Sequence, residues 1–465
     1  MLSYFLMPHP PIIIPEVGKG GEGEAIETIK ACELVGERIK ELDAETIVVI
    51  SPHGTVFRNA VSIISSNTIS GNLGRFGARE VNFDYDIDLE LTNKIIEIAN
   101  EENIAIVSLN EDSTTMYRVP LELDHGVMVP LYYADKGKKH KLVHINYGFL
   151  SPIELLKFGT IVKKAVKECN KNVVVIASGD LSHRLTKEGP YEYNPLGEVF
   201  DKKLIDILSK EDLEELFYID KNLIKEAGEC GLRSLYILAG AINTSKIDSE
   251  LFSYEGPFGI GYGVFQFKEG EGNLYDSIVH KKEKEHKRRM EEGNPYTKLA
   301  RRNLERYFTE GTLITIDEIE DKELLNDKKG VFVSLKVNGD LRGCIGTIAP
   351  TTNSVGEEII RNSISAALND PRFQPVSKEE LIDIDISVDL LYPSEPTSMD
   401  GLDPKNYGVI VTAGHKRGLL LPNLEGVDTS EEQVEIAMSK GGILPSEKYT
   451  LERFKVERFK ETDYE

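Results

Sequence analysis

The segment 172–183, NVVVIASGDLSH, decides the fold of the first half of this chain. It opens with a continuous apolar run and then breaks into small and polar residues that end at His183. A short Val/Ile run bounded by turn residues is typical of a strand buried on both faces, as in a parallel sheet. Two similar runs, ETIVVISPHG (45–54) and KKHKLVHINYG (138–148), alternate with amphipathic segments of helical period. This alternation predicts an α/β fold with a largely parallel central sheet flanked by helices.

The pattern divides the chain into two domains. The α/β pattern covers residues 1–270 and finishes with SYEGPFGIGYGVFQFKEG (253–270), which we interpret as one Gly-bent closing strand. A charged segment, 271–293, follows and includes KKEKEHKRR; in so acidic a chain we interpret it as a helical connector and not as a nucleic-acid patch. Residues 294–465 begin with a helical pattern and continue with strands, which predicts a second, smaller α+β domain.

Composition excludes several classes of function. A formal net charge of −23 argues against nucleic acid or an anionic membrane as the main partner. No apolar run is long enough to span a bilayer, and no signal-peptide pattern opens the sequence. The four cysteines are widely spaced and form no CxxC pair, which favours free thiols in a reducing cytoplasm.

Three histidines share one setting in the first domain. His9 follows the strand pattern YFLM in a proline-rich turn, His53 follows TIVVI, and His183 follows VVVIA. Ligand-binding and catalytic groups of α/β sheets collect beyond the carboxyl ends of the strands. We therefore expect these three residues to meet in one crevice, although each alone is more typical of an ordinary loop.

Such a group suits a metal. Two neutral imidazoles and one anionic ligand on one face of the ion are typical of non-haem Fe(II) enzymes, which keep the other face open. A further histidine that does not bind the metal can act as general acid or base. Asp180, three residues before His183, could accept a hydrogen bond from an imidazole and fix its tautomer. His125 stands beside a carboxylate at a predicted element boundary, and His144 lies inside a predicted strand.

The motifs HPP, SPHG, DHGVMVPL and SGDLSH together resemble the class III extradiol ring-cleaving dioxygenases and the related Memo proteins. The resemblance covers about the first 270 residues. It implies that His9 and His53 bind a divalent metal, Fe(II) in the dioxygenases, and that His183 is the acid/base histidine. It also implies that His125 lies close to the metal or faces the substrate.

The third ligand departs from the dioxygenase pattern. The dioxygenases carry a Glu there, whereas this chain reads KEAGECGLRS, with Glu229 and Cys230 adjacent. The best register places Cys230 at the ligand position, as in the Memo proteins, and a thiolate would favour zinc, copper or a thiolate-bound iron. Glu255 is a further candidate carboxylate, and Cys230 could equally be a small buried residue at a helix start.

The second domain resembles the AMMECR-type domains. The residues that carry the likeness are LRGCIG (341–346), DPRF (370–373) and GLLLPN (418–423). Arg342 and Cys344 are two apart on a predicted strand and share a face. With Asp370 and Arg372 they could line a pocket for an anionic or planar ligand, and a packed strand with a buried thiol is an equal alternative.

The order of the two domains resembles the two-domain fusions of the AmmeMemoRadiSam system. That resemblance implies partnership with a radical S-adenosylmethionine enzyme. This chain has no CxxxCxxC motif of its own, so the iron–sulfur chemistry would belong to that partner. We expect a metal-dependent, dioxygenase-like protein acting on a small, catechol-like molecule. The alternatives are a non-catalytic metal- or substrate-binding scaffold for the radical enzyme, and an activity carried by Arg342 and Cys344. The sequence leaves the substrate, the metal and the oligomeric state open.

Overall fold

The computed structural model describes residues 2–137, 140–210, 212–337, 339–424 and 426–461. The chain forms two compact units, with the boundary between Val279 and His280. Within the described residues, none of the helices combines the length and the apolarity that crossing a bilayer requires.

The first unit is built around an eight-stranded, mostly parallel sheet. Its strand order is β6-β3-β7-β2-β8-β1-β10-β9, and the central run β7-β2-β8-β1 is parallel throughout, whereas β4 and β5 pair as a separate hairpin. The predicted α/β class is therefore confirmed. The strands are β1 (Leu2–Met7), β2 (Thr46–Ser51), β3 (Val61–Ile64), β4 (Thr68–Leu73), β5 (Ala78–Asp86), β6 (Ile106–Leu109), β7 (Lys141–Asn146), β8 (Val173–Ser178), β9 (Ile247–Glu255) and β10 (Tyr262–Glu269).

Helices cover both faces of this sheet, because β2 and β8 are buried along their whole length and pack into one hydrophobic cluster on each side. Local signals set the ends of the helices: α6 starts with a capping box between Ser151 and Glu154, and left-handed Asn170 follows its last turn. The helices are α1 (Pro15–Gly18), α2 (Ile26–Glu41), α3 (Leu89–Glu101), α4 (Glu111–Tyr117), α5 (His125–Ala134), α6 (Pro152–Cys169), α7 (Pro195–Ser209), α8 (Lys221–Ala227), α9 (Leu232–Ile242) and α10 (Leu274–Glu292).

Two segments deserve comparison with the sequence analysis. The segment interpreted as one bent closing strand contains the end of β9 and the whole of β10, an antiparallel hairpin at the edge of the sheet. Gly256, Gly259 and Gly261 lie in the turn between these strands, where Gly259 has φ +79°, and so mark a reversal of the chain and not a bend within a strand. The charged segment 271–293 is helical, because α10 covers most of it and crosses the unit boundary.

The second unit is a smaller α+β domain, as predicted, with two antiparallel sheets of order β12-β11-β13-β18 and β14-β17-β15-β16. Its strands are β11 (Gly330–Val337), β12 (Asp340–Gly346), β13 (Ile384–Leu391), β14 (Glu395–Thr397), β15 (Gly408–Ala413), β16 (Lys416–Leu420), β17 (Thr450–Phe454) and β18 (Val456–Lys460). Its helices are α11 (Pro295–Glu310), α12 (Lys322–Asn326), α13 (Val355–Leu368) and α14 (Ser430–Gly441).

A buried ion pair ties the start of this unit to its end. The guanidinium of Arg301 on α11 is fully buried and donates from two nitrogens to the carboxylate of Glu461, at 2.8 and 2.6 Å. It also donates to the carbonyl oxygens of Leu381 and Ile384. Because every charge in the group has a partner, removing either side chain would leave an uncompensated buried charge.

Candidate metal centre

Strand register brings the first ligand candidate to its place. Met7 at the end of β1 pairs with Ser178 at the end of β8, so the two strands end at the same level of the sheet. Two residues farther on, the backbone N–H of His9 donates to the Asp180 carboxylate at 2.9 Å. The flanking Pro8 and Pro10 restrict the backbone, so His9 is held before any ligand binds.

The imidazoles of His9 and His53 point their Nε2 atoms at the same place. These two nitrogens lie 2.9 Å apart, and the Cys230 sulfur lies 3.6 Å from Nε2 of His9. The ring of His125, at the first position of α5, stacks on that of His53 with centroids 4.3 Å apart. Two overlapping sets of potential ligand atoms result, His9–His53–His125 and His9–Asp180–Cys230, each within 4.8 Å.

Glu229 and Cys230 occupy different places, although the sequence left the choice between them open. The carboxylate of Glu229 accepts a hydrogen bond from the backbone N–H of Leu232 at 2.6 Å and so caps the start of α9. The Cys230 sulfur accepts one from the backbone N–H of Asp180 at 3.4 Å and faces His9. Glu255 accepts from the backbone N–H of Thr28. Of these three candidates for the third ligand, only the thiol lies in the cluster of the described residues.

Two glycines allow this approach. A Cβ on Gly179 would lie 2.1 Å from the Cα of Gly231, so the loop that carries Asp180 and the loop that carries Cys230 meet backbone to backbone. The backbone N–H of Cys230 donates to the carbonyl oxygen of Asp180 at 3.3 Å and closes the same contact. Any larger side chain at either glycine would push the thiol away from His9.

Burial favours uncharged ligands. Desolvation holds the pKa of His9 well below its ordinary value, lowers that of His53, and lowers that of His125 to about 3. Desolvation also raises the pKa of the Cys230 thiol, and it raises the pKa of Asp180 to about 6 against the hydrogen bond from the His9 backbone. Without a metal the imidazoles are therefore neutral, one of the two facing Nε2 atoms donates a hydrogen bond to the other, and a metal that binds Cys230 must displace its proton.

His183 lies near this cluster with a different environment. Its ring stacks on Tyr191, with centroids 5.1 Å apart, and its backbone N–H donates to the carbonyl oxygen of Ala227. Its Nε2 is buried and has no hydrogen-bond partner within the described part of the chain. Burial lowers its pKa, so the ring is neutral before a molecule binds.

Residues that the sequence analysis did not single out orient the ligands. The Ser178 hydroxyl lies 2.9 Å from Nδ1 of His9 and thereby directs Nε2 toward the cluster. Ser51 donates to Asp124 at 2.5 Å, and the other oxygen of Asp124 lies 3.1 Å from Nε2 of His144. Ser51 and Ser178 each end a buried strand, as does Asn146. Each of these buried apolar strands ends with a polar residue, and this pattern in the sequence could have indicated the orienting residues.

A cavity of about 410 Å³ opens beside His53 and His125. The hairpin β4–β5 contributes to it, and the Phe76 ring beyond β4 lies 5.3 Å from that of His125. An exposed ion pair between Arg75 and Glu122, at 2.6 Å, also borders it. Its polar lining otherwise includes His144, Asn146, Asp124 and Thr55, and its apolar lining includes Ile64, Leu109, Leu123 and Met128. A volume of this size suits a small molecule.

The predicted pocket residues of the second unit are largely engaged with one another. Arg342 donates from two nitrogens to Glu380, at 2.7 and 3.1 Å, and so fastens β12 to the loop after α13. Asp370 holds Arg372 and also accepts from the backbone N–H of Cys344 at 2.9 Å. The Cys344 sulfur accepts a hydrogen bond from Ser334, and burial raises the pKa of the thiol.

The donor set of the first unit fits a divalent metal. Two neutral imidazole nitrogens 2.9 Å apart, with a thiol beside them, offer the ligand types that zinc, copper and iron accept. Fold and site therefore define a class: an α/β protein with a histidine-rich candidate metal centre at the carboxyl ends of its parallel strands.

Comparison with known proteins gives this class a family. The family described as the catalytic LigB subunit of aromatic ring-opening dioxygenase matches residues 3–265, and the AMMECR1 family matches residues 297–464. The chain belongs to the LigB family and carries an AMMECR1 domain after its LigB domain. The resemblances drawn from the sequence motifs, and the order of the two domains, are confirmed.

Several known proteins are similar in sequence or structure to part or all of this chain. A Clostridium acetobutylicum protein is 48% identical over 466 residues, which is 99% of each chain. A Thermotoga maritima protein is 51% identical over 170 residues, covering 36% of this chain and 98% of its own. The crystal structure of an uncharacterized protein from Pyrococcus horikoshii is 32% identical, covers 36% of this chain and 90% of its own, and has a TM-score of 0.34. The crystal structure of an uncharacterized protein from Escherichia coli K12 is 13% identical, covers 57% of this chain and 99% of its own, and has a TM-score of 0.41.

Proposed function

We propose that the LigB domain is a metal-dependent, non-haem, dioxygenase-like enzyme domain that acts on a small, catechol-like substrate. The observation that supports this most is the convergence of the two Nε2 atoms of His9 and His53, 2.9 Å apart, with the Cys230 sulfur next to them. His9, His53 and Cys230 would hold the metal. When bound, a divalent metal supplies a Lewis acid and a place where a substrate oxygen and a small molecule can meet.

The chain's own residues would orient the metal ligand, exclude water and transfer a proton. Ser178 and the prolines beside His9 keep that imidazole oriented, so little freedom is lost on binding. The apolar part of the 410 Å³ cavity excludes water from the substrate ring, and His125 faces that ring. The Nε2 atom of His183 accepts a substrate hydroxyl proton and later returns it, because among the described residues it has no hydrogen-bond partner.

A second candidate function rests on Cys230. A thiol stands where the ring-cleaving dioxygenases carry a carboxylate, and burial favours its protonated form. A softer ligand changes which metal is preferred. The same centre could therefore hold zinc or copper without oxygenase activity and serve as a binding scaffold.

Metal analysis tests the proposal directly. The full chain is loaded anaerobically with Fe(II), or separately with Zn(II), desalted, and its metal content measured. We expect wild type to retain close to one metal ion per chain, and the variants His9→Ala and His53→Ala to retain almost none. His280→Ala is the matched control, because His280 is exposed on α10. Wild type that retains neither metal would refute the metal-dependent reading.

Oxygen consumption with a panel of catechols separates the enzyme from the scaffold. An enzyme consumes oxygen with at least one catechol when loaded with Fe(II). His183→Ala should keep the metal and lose turnover, since it removes the proton acceptor only. Metal-loaded wild type without turnover on any catechol would favour the scaffold.

A further inference from the structure

The AMMECR1 domain contains a second cavity, of about 300 Å³, away from the LRGCIG thiol and unused by the proposed function. It lies where the end of β13 meets the loop after β12 and the strands β15, β16 and β17. Gly330 permits the close packing at its edge, because a Cβ there would lie 2.4 Å from the carbonyl oxygen of Thr347. The cavity is therefore formed by the fold of one unit and needs no other chain.

Apolar groups form much of its lining. Three side chains of one hydrophobic cluster, Leu391, Ile410 and Phe454, lie at its base and are at most 3% exposed. Ile348 and Tyr392 also line it and are 37% and 38% exposed. Large apolar side chains that stay exposed at a concave surface are typical of a ligand site.

The charges of the lining are all of one sign. Three basic residues line the cavity, Lys328, Lys329 and Arg417, and no acidic residue of the described chain does. This is unexpected in a protein with 78 acidic and 55 basic residues. A local excess of positive charge in an acidic protein attracts anions to that place.

The three cations differ in how far they are neutralised. Lys329 pairs with Asp327 at 3.0 Å and lies over the Tyr392 ring, 4.6 Å from its centroid. Arg417 reaches Glu452 with one terminal nitrogen at 3.2 Å and is 47% exposed, which leaves its other donors available. Lys328 makes no ion pair with any residue that the structure describes.

We propose that this cavity binds a small organic anion, a molecule with a planar or branched apolar body and a carboxylate, sulfonate or phosphate group. The apolar body lies against Ile348 and Tyr392, and the anionic group contacts Lys328 and Arg417. A cavity of this volume, lined by side chains of four strands and of the loop after β12, fits a small molecule better than a peptide segment. The proposal does not depend on the metal centre.

Fluorescence titration of the full chain tests it with two probes of similar shape. Anilinonaphthalenesulfonate carries an aromatic body and a sulfonate, whereas N-phenylnaphthylamine has the same body without charge. We expect saturable binding of the sulfonate, and at least about tenfold weaker binding in Lys328→Met/Arg417→Gln, since charge-assisted contacts are the strong ones. Lys405→Met/Lys448→Met removes two exposed charges of the same unit outside the cavity and should bind as wild type does.

Three results would overturn the proposal. They are the absence of saturable sulfonate binding, equal affinity in the cavity variant and wild type, and equal affinity of wild type for the neutral probe. Circular dichroism and thermal unfolding check that each variant is folded. If the double variant unfolds, Lys328→Met alone replaces it, because Lys328 is exposed and unpaired in the described chain; its binding must then be weakened, or the proposal fails.

Discussion

The LigB domain and the AMMECR1 domain each hold a partly buried thiol next to an aspartate. Cys230 accepts a hydrogen bond from the backbone of Asp180, and Cys344 donates its own backbone N–H to Asp370. Burial raises the pKa of both thiols. The neighbours of the sulfur atoms differ: the Cys230 sulfur lies 3.6 Å from an imidazole nitrogen, whereas that of Cys344 accepts a hydrogen bond from Ser334.

This difference shows that burial and an adjacent carboxylate do not make a thiol a metal ligand. Imidazole nitrogens with free lone pairs, pointed at the same place, are also needed. In the LigB domain the ends of β1 and β2 and the start of α5 deliver them. In the AMMECR1 domain the groups around Cys344 are guanidinium, carboxylate and hydroxyl, and most of them already bind one another.

Removal of each thiol should give the largest contrast. Cys230→Ser is expected to lower zinc affinity at least about a hundredfold, since the ligands of a structural zinc together supply about 10–16 kcal/mol. Cys344→Ser should leave it unchanged. Competition with a chromophoric chelator measures both affinities. Equal affinity in Cys230→Ser and wild type would remove Cys230 from the metal centre.

Glycine substitutions beside each thiol should separate a local effect on the metal from a general loss of stability. A Cβ on Gly179 would lie 2.1 Å from the Cα of Gly231, and one on Gly343 would lie 2.1 Å from the carbonyl oxygen of Ala366. Both Ala variants should cost about 1–3 kcal/mol in free energy of unfolding, the usual cost of overpacking.

Only Gly179→Ala should also weaken metal binding, because it separates the loops of Asp180 and Cys230. Chemical denaturation gives the stability, and metal titration of the folded variants gives the affinity. Metal affinity lowered by Gly343→Ala would contradict the comparison.

A matched pair of serine variants tests the orienting hydroxyl. Ser178 lies 2.9 Å from Nδ1 of His9, and Ser334 donates to the Cys344 sulfur. Ser178→Ala should lower metal affinity about tenfold, at the low end of the effect of groups that orient ligands. Ser334→Ala should not change it. If both variants bind metal as wild type does, the hydroxyl does not orient His9.

The smallest expected effect concerns the ion pair between Asp370 and Arg372, next to Cys344. Hydrogen bonds from Arg372 lower the pKa of Asp370 to about 2, below the ordinary value of about 3.9. A lowered folded-state pKa means that this carboxylate stabilises the fold above about pH 4 and ceases to do so as the pH falls toward 2.

Asp370→Asn should therefore lower the stability of the domain at pH 6 by about 0.2–1 kcal/mol, because Arg372 is largely exposed. The difference between variant and wild type should shrink between pH 4 and pH 2. Urea unfolding at several pH values measures it, and a difference that grows on acidification would contradict this assignment.

Local pattern was enough to predict the α/β class and the positions of His9, His53 and His183 after strands, because Val/Ile runs and the turns that follow them are properties of a few adjacent residues. The preference for Cys230 over Glu229 came from the register of the family resemblance, because local pattern does not distinguish them. Adjacent side chains point in different directions, and the close approach of Gly179 and Gly231, far apart in sequence, fixes which one faces His9.

Long-range partners escaped prediction for the same reason. The sequence placed Arg342 in a pocket with Cys344, and nothing near it indicated Glu380, which is 38 residues away and binds it. The β9–β10 hairpin was read as one strand, because glycines in a turn and glycines in a bent strand look alike in sequence.

The position of β1 between β8 and β10 has a consequence for how the protein folds. His9 touches Asp180 across 171 residues and Cys230 across 221 residues. Contacts between such distant segments require closing long loops, which slows folding. The neighbours of β1 in the sheet are β8 and β10. During synthesis β1 can pair with both only after nearly the whole LigB domain has left the ribosome. His9 and Cys230 can therefore come together only after most of the LigB domain has been synthesised.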